Sequence, residues 1–258
     1  KTTLFRLLTN AGKNTGQSNL GVMEIPDVRV DFLRDIYDPR KTTYARIDVI
    51  DIQAHKGQEL LNAVRNLDLV IVALASFMGV EGEKDSLEFI NAIEADFYVA
   101  DLVSVESRLH KLKANKAKPV SQTEIPFLEK CEDALNNEIP LRQITFCPHE
   151  VELLSNFAFY TTKPLILALN VSDEQLSMGE FPALEHMRAL SDSSGFGVVV
   201  FSGVVEEEIE ALSEGERDLF LKEYGLTEPG VARIAKAAYS TLGLISFFTV
   251  GQDEVRAW

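Results

Sequence analysis

The stretch LDLVIVALASF (67–77) decides the fold class of this chain. Its centre, VIVALA, is apolar on both alternating faces, which is typical of a strand that helices cover on each side. Two further stretches of the same kind, PLILALNV (164–171) and FGVVVFSG (196–203), follow later and are separated by segments with helical periodicity. This alternation predicts an α/β fold with a mainly parallel sheet.

The composition limits the classes of protein to consider. The chain has 258 residues, of which 46% are hydrophobic, and this is enough for a large buried core. It contains no run near the roughly 18 apolar residues of a membrane span and no signal-peptide pattern, so we expect a cytoplasmic protein with no membrane partner. The net charge of −15 disfavours bare nucleic acid, and DNA is not an expected partner. Cys131 and Cys147 lie in no disulfide or zinc pattern.

Other segments carry strand or helix signals. A helix is predicted within IPDVRVDFLRDIYDP (25–39), where Asp27 is a suitable N-cap and Pro39 follows the helix end. Ser213 and Thr227 are predicted N-caps of two later helices. The remaining predicted elements before the first buried strand are a helix at 1–9, strands at 21–25 and 42–52, and a helix at 57–66.

Residues 84–159 lack a buried strand and have a helical pattern. Apolar side chains recur there every three or four positions, which predicts a long two-stranded helical arm inserted into the α/β domain. The chain returns to that domain at Lys163. The last segment, ISFFTVGQDEVRAW (245–258), has the pattern of a strand, a turn and the start of another strand.

Four polar features fall where a ligand site of an α/β fold is expected. Lys1-Thr2-Thr3 matches the tail of a G-x-x-x-x-G-K-[ST] loop, in which backbone N–H groups and the Lys bind phosphates and the next hydroxyl binds Mg²⁺. Taken alone, the same three residues are also compatible with an ordinary exposed helix start. Asp51 closes a predicted strand and is either a water-mediated Mg²⁺ ligand or a turn cap.

The other two features follow the later buried strands. Asn170-Val171-Ser172-Asp173 ends the strand at 164–171, and Phe201-Ser202-Gly203 ends the strand at 196–203. Ligands of open α/β sheets bind at the carboxyl ends of the strands. An amide followed by an acid, with backbone N–H groups beside them, is therefore suited to a nucleotide base.

With these motifs in this order, the sequence resembles the YchF or Obg-like ATPases, a branch of the translation-factor-related P-loop NTPases. The resemblance is collinear and covers most of the chain. It is carried by SNLGVMEIPDVRVDFL (18–33), VEGEKDSLEFINAIEADFYVADL (80–102), TTKPLILALNVSDE (161–174), FSGVVEEEIEALSEGERDLFL (201–221) and GLISFFTVGQDEVRAW (243–258).

The resemblance implies a role for each motif. Lys1 is the catalytic and phosphate-binding lysine, Thr2 binds phosphate and Mg²⁺, and Asp51 is the switch II acid. The implied nucleotide-binding residues are Lys1, Thr2, Thr3, Asn170, Val171, Asp173, Ser202 and Gly203. The implied domains are a discontinuous nucleotide-binding domain at 1–93 and 161–242, a coiled-coil insertion at 94–160, and the start of a TGS (β-grasp) domain at 243–258.

The chain departs from the family pattern at two motifs. The family's base-reading N-x-x-E becomes Asn170-Val171-Ser172-Asp173, whereas GTPases use N-K-x-D. Val171 favours ATP and Asp173 leaves GTP open. The family's D-x-x-G becomes Asp51-Ile52-Gln53-Ala54.

At three places the sequence is shorter than the family pattern. These are the switch I segment around 14–18, the switch II segment before residues 55–58, and the connection at 78–79. Our hypothesis is that mobile loops, including a glycine-rich loop ahead of Lys1, are missing from this sequence. The alternative is a degenerate relative that does not bind nucleotide normally.

The resemblance thus implies a slow Mg²⁺-dependent ATPase switch associated with the ribosome. The alternatives are a GTPase of the same fold and a nucleotide-free interaction module. One local cluster of positive charge is compatible with ribosomal RNA or with a solvated helix end. The cluster consists of Arg108, His110, Lys111, Lys113, Lys116 and Lys118.

Overall fold

The computed structural model describes residues 1–9, 19–54, 56–77, 79–114 and 120–258. The predicted switch I segment at 14–18, His55, Met78, Lys116 and Lys118 lie outside these ranges. Within them, none of the helices is both long enough and apolar enough to cross a membrane.

In the described part of the chain, eight strands form three small sheets. Their bounds are β1 Leu20–Ile25, β2 Lys41–Thr43, β3 Ala45–Ile50, β4 Val70–Ala75, β5 Leu165–Asn170, β6 Gly197–Phe201, β7 Phe248–Thr249 and β8 Glu254–Ala257. Strands β4, β5 and β6 form a parallel sheet in that order, β1 and β3 form an antiparallel pair, and β2, β8 and β7 form a mixed sheet.

The helices account for most of the remaining described chain. Their bounds are α1 Thr2–Thr9, α2 Val28–Tyr37, α3 Gly57–Val64, α4 Gly79–Ala114, α5 Val120–Asn136, α6 Pro148–Leu154, α7 Asp173–Met178, α8 Pro182–Ser194, α9 Gly203–Ala211, α10 Glu214–Glu223 and α11 Gly230–Thr241. A short 3₁₀ turn, Leu141–Gln143, lies between α5 and α6.

Strand β5 is the centre of the core. Each residue from Leu165 to Leu169 is at most 1% exposed. Leu165, Leu167 and Leu169 face a cluster that includes Ile93 of α4, while Ile166 and Ala168 face a second cluster with α1 and α11. Helices therefore cover both faces of the strand, as its continuous apolar pattern predicts.

The expected strand at 42–52 is divided into two strands. Strand β3 pairs with β1, and β2 pairs in parallel with β8 near the carboxyl end of the chain. Tyr44 lies between β2 and β3, and its hydroxyl donates a hydrogen bond to Asp31 of α2. One continuous segment thus contributes strands to two different sheets. The periodicity of its sequence does not show this division.

The carboxyl-terminal hairpin β7–β8 packs on the amino-terminal half of the chain. Val255 and Ala257 of β8 are buried together with Val30 of α2. The strand, turn and strand expected at 245–258 are present as β7, a turn and β8. Assignment of this segment to a TGS domain stays a prediction.

One predicted helix cap is wrong. Helix α11 begins at Gly230 with Pro229 at the N-cap, so Thr227 lies outside the cap position. The carboxylate of Glu206, on α9, instead accepts hydrogen bonds from the backbone N–H groups of Gly230, at 2.6 Å, and Val231, at 3.3 Å. A buried acid from another helix thus satisfies the amino end of α11, and burial raises the pKa of Glu206.

Helix α4 joins the α/β core to the helical arm. Its 36 residues extend about 54 Å. Ile90, Ile93 and Phe97 are buried in the main core. Further along the same helix, Val105 and Leu109 pack with α5 in a separate arm core. Since one helix serves both cores, the predicted boundary at residue 94 stays a prediction.

Two polar contacts fix the base of the arm. The carboxylate of Asp101, on α4, accepts hydrogen bonds from the Tyr160 N–H at 2.9 Å and from the N–H and hydroxyl of Thr161 at 2.7 Å each. Burial raises the pKa of Asp101 to about 6. Nearby, Arg142 and Glu94 form a mostly buried ion pair at 2.8 Å. These contacts hold the returning chain directly ahead of β5.

We predict that Asp101→Ala lowers the free energy of unfolding by about 3 kcal/mol, because three donors lose their acceptor in a buried position. Urea unfolding followed by circular dichroism measures the change. Asp85→Ala, which removes an exposed acid from the same helix, is the matched control and should change stability by less than about 0.5 kcal/mol. Equal effects of the two variants would contradict this role of Asp101.

Candidate functional site

The four polar features meet at one edge of the core. Asn170 ends β5 and pairs with Phe201 at the end of β6. A Cβ atom placed on Gly203 would lie 3.4 Å from Asn170 Oδ1 and 3.7 Å from Thr3 Cγ2, so the start of α1 lies beside these strand ends. Lys1 Nζ lies 3.4 Å from Asp51 Oδ1. Residues 1–3, 51, 170 and 202–203 are therefore neighbours in the fold.

Lys1 and Asp51 form an ion pair in this structure. Asp51 directly follows β3, and its backbone N–H donates to the Asn19 carbonyl at 2.8 Å. Its side chain is 7% exposed, against 36% for the side chain of Lys1. Lys1 Nζ also donates a hydrogen bond to the Ile52 carbonyl. A partly exposed cation thus lies over a buried acid at the amino end of α1.

The Asn170 and Asp173 side chains are cross-linked to the loop after β6. The Gly203 N–H donates to Asn170 Oδ1 at 2.8 Å, and the Ser202 hydroxyl donates to Asp173 Oδ1 at 2.9 Å. Ser202 is also the N-cap of α9. These bonds fix two motifs that lie about 30 residues apart in sequence.

Two of the predicted residues differ in accessibility. Val171 is 3% exposed, packs in the main core and donates its N–H to the Phe201 carbonyl at 2.9 Å. Its side chain continues the core side of β5, and a role of Val171 at a nucleotide base stays a prediction. Thr2, the first residue of α1, is exposed.

Two cavities border this edge. One, of about 560 Å³, is lined by side chains of α7 and the end of α10, including Asp173, Glu174, Glu223 and Tyr224. Its acidic lining disfavours phosphate groups. The other, of about 380 Å³, runs from Lys1 and Asp51 between β3 and β4, and its lining is mainly apolar.

The Asp51 carboxylate has the chemistry of a Mg²⁺ ligand. Its Oδ1 atom is buried and accepts no hydrogen bond from the described residues. A buried oxygen without a donor is suited to a cation or to a metal-bound water. In the described part of the chain, no group of three or more His, Cys, Asp and Glu residues is arranged to hold a metal.

Sequence reasoning missed two residues of this edge. Gln53 Nε2 donates to Asp51 Oδ2 at 2.9 Å. The backbone N–H of Ser76, directly after β4, donates to the Asn170 carbonyl at 2.8 Å. The departure of Asp51-Ile52-Gln53-Ala54 from D-x-x-G could have drawn attention to Gln53. Ser76 belongs to no motif, so no pattern in the sequence indicated its contact.

The basic cluster of the arm is partly neutralised. Arg108 pairs with Glu124 at 2.7 Å, and Lys113 pairs with Glu129 at 2.9 Å. His110 and Lys111 are exposed near the end of α4.

Known proteins similar to this chain identify its family. Searched against protein-family models, the chain matches none. It is 30% identical to the Ribosome-binding ATPase YchF of Bacillus subtilis and 32% identical to that of Escherichia coli O157:H7. Each alignment covers 100% of this chain and 77% of the relative.

Two solved structures have a related fold. The Schizosaccharomyces pombe YchF GTPase matches with a TM-score of 0.87 and 24% identity, over 100% of this chain and 76% of that chain. A GTP binding protein from Pyrococcus horikoshii OT3 matches with a TM-score of 0.55 and 15% identity, over 100% of this chain and 82% of that chain.

The fold and the structural match define an α/β protein with a P-loop NTPase fold. More narrowly, the chain belongs to the YchF, or Obg-like, family, as its sequence resemblance predicts. The alignment with the B. subtilis relative spans 282 residues against 258 in this chain, so at least 24 residues of the alignment have no counterpart here. That the gaps fall at the switch segments stays a prediction.

Proposed function

We propose that this chain is a nucleotide switch that binds Mg²⁺-ATP at the edge formed by Lys1, Asp51 and Asn170 and hydrolyses it slowly. The observation that supports this proposal best is the contact between Lys1 and Asp51, at 3.4 Å. In this contact a lysine, a residue that often binds phosphate, lies beside an aspartate, a residue that often binds metal ions. Both lie at the amino end of helix α1. The relatives' names, which include both ATPase and GTPase, support nucleotide hydrolysis.

The first turn of α1 provides the phosphate end of the proposed site. The N–H groups of Thr2 and Thr3 lie at the start of the helix, where backbone donors lack intrahelical partners and favour anions. Lys1 would neutralise charge on the phosphate oxygens, and the Thr2 hydroxyl and Asp51 would hold Mg²⁺, the latter through water. Bound Mg²⁺ would stabilise the negative charge of the transition state.

The Asn170 side provides the base end. The bond from Gly203 leaves the Asn170 amide NH₂ available to donate to a base acceptor. The bond from Ser202 holds one oxygen of Asp173 and leaves the other available as an acceptor. Among the described residues of this site, none is assigned as a group that orients the attacking water, and the family resemblance implies slow intrinsic turnover.

Lys1→Ala in the full chain should weaken Mg²⁺-ATP binding by at least about 100-fold, because the phosphates lose their charged partner in a partly desolvated position. Isothermal titration calorimetry measures the change. Lys222→Ala, an exposed lysine on α10, is the control and should bind as the unmodified chain does. No nucleotide binding by the unmodified chain would instead favour the nucleotide-free interaction module.

The choice between ATP and GTP depends on the reach of the acid at position 173. Competition of unlabelled ATP and GTP against a fluorescent nucleotide should give an ATP preference of several-fold. Asp173→Glu should increase that preference, since the longer side chain matches the family's N-x-x-E. A GTP preference in the unmodified chain would identify a GTPase of the same fold.

We also propose that the chain associates with the ribosome through the exposed end of the arm. The name Ribosome-binding ATPase of the relatives supports this, as does positive charge in an otherwise acidic chain. Arg108 and Lys113 are partly neutralised by their ion pairs, so His110 and Lys111 are the described residues most suited to contact phosphates of ribosomal RNA.

Lys111→Glu should weaken cosedimentation with ribosomes several-fold and reduce the slope of log affinity against log salt by about 1, as expected for one lost phosphate contact. Lys222→Glu has the same change of charge on another exposed helix and should leave binding unchanged. If the two variants bind alike, the arm is not the contact.

A further inference from the structure

The two carboxylate oxygens of Asp51 have different partners. Oδ2 accepts a hydrogen bond from Gln53 Nε2 at 2.9 Å. Oδ1 is buried, accepts no hydrogen bond from the described residues and lies 3.4 Å from Lys1 Nζ. One oxygen is thus held by a neutral donor, while the other is balanced only by a cation.

Gln53 reaches Asp51 from an exposed position. It lies two residues after the acid and is itself exposed, yet its amide folds back onto a side chain that is 7% exposed. In the motif Asp51-Ile52-Gln53-Ala54, it is the residue whose side chain contacts the acid. The backbone of Asp51 is fixed independently through Asn19. The Gln53 bond therefore acts on the rotation of the carboxylate more than on its location.

We propose that Gln53 is a positioning residue for Asp51, and this inference rests on the proposed function of the site. By holding Oδ2, it presents Oδ1 alone to a cation. That cation is Lys1 in this structure, and it would be hydrated Mg²⁺ in the nucleotide complex, where Lys1 would bind the phosphates.

The arrangement couples Mg²⁺ binding to nucleotide binding. A nucleotide that draws Lys1 away in the absence of Mg²⁺ leaves Oδ1 buried without a compensating charge, which is unfavourable. A hydrated Mg²⁺ can donate a water hydrogen bond to Oδ1 without breaking the bond from Gln53. Loss of Gln53 frees the carboxylate to rotate, so it should weaken the Mg²⁺-dependent part of nucleotide binding.

The experiment measures the affinity of the full chain for a fluorescent ATP analogue, once with excess Mg²⁺ and once with EDTA. Gln53→Ala should weaken binding about fivefold with Mg²⁺, the factor that corresponds to one hydrogen bond of about 1 kcal/mol. With EDTA, its affinity should change by less than about twofold. Gln53→Glu has the same shape but lacks the donor and adds negative charge, so it should lose about tenfold or more with Mg²⁺.

Gln58→Ala is the matched control. Gln58 is an exposed glutamine on α3 whose side chain donates to Asn62 at 2.9 Å, so the variant loses a similar bond away from Asp51. It should bind as the unmodified chain does in both conditions. Melting temperatures of Gln53→Ala and Gln58→Ala without nucleotide should agree within about 2 °C, because each variant loses one side-chain hydrogen bond.

Two results would overturn the positioning role while the proposed function survives. One is an equal loss of affinity with Mg²⁺ and with EDTA in Gln53→Ala, which indicates a general structural effect. The other is unchanged affinity with Mg²⁺ in that variant. Failure of the unmodified chain to bind the analogue would overturn the proposed function, and this inference with it.

Discussion

Burial of β5 on both faces organises the core and fixes the position of the polar edge. Residues 165–169 are at most 1% exposed, with α4 on one side and α1 and α11 on the other. At about 25 cal/mol per Å² of apolar surface removed from water, a strand buried in this way contributes strongly to the core. Because its register with β4 and β6 is fixed, its last residue, Asn170, has one defined place at the edge of the core.

Electrostatics at that edge follow from the same packing. Asp51 is removed from water because β3 carries it beside α1, and a buried carboxylate requires a cation or hydrogen-bond donors. The structure provides both, through Lys1 at one oxygen and Gln53 at the other. The exposed acids of α7 and α10 lie at the Asp173 side, so negative charge is concentrated away from the phosphate end of the proposed site.

One uninterrupted helix, α4, connects the arm to the core. Helix α4 contributes Phe97 to the main core and Val105 to the arm core without interruption. Asp101 and the Arg142–Glu94 pair fix the returning chain directly ahead of β5. The arm and the core are therefore joined both by one uninterrupted helix and by polar contacts of low exposure.

The fold class, the parallel strands of the core and the family could all be predicted from the sequence pattern. The run LILALN is buried between two layers of helices, as its pattern predicts, whereas in VIVALA only Val72 and Leu74 are buried. The sequence also identified Lys1, Asp51 and Asn170 as polar residues at element ends. Tertiary structure alone decided which of these groups meet and how they pair. It divided residues 42–52 between two sheets, buried Val171, capped α11 with Glu206 and brought Gln53 onto Asp51. The reason is that each of these outcomes depends on contacts between distant segments or on the direction of a side chain, and neither leaves a periodic signal in the sequence.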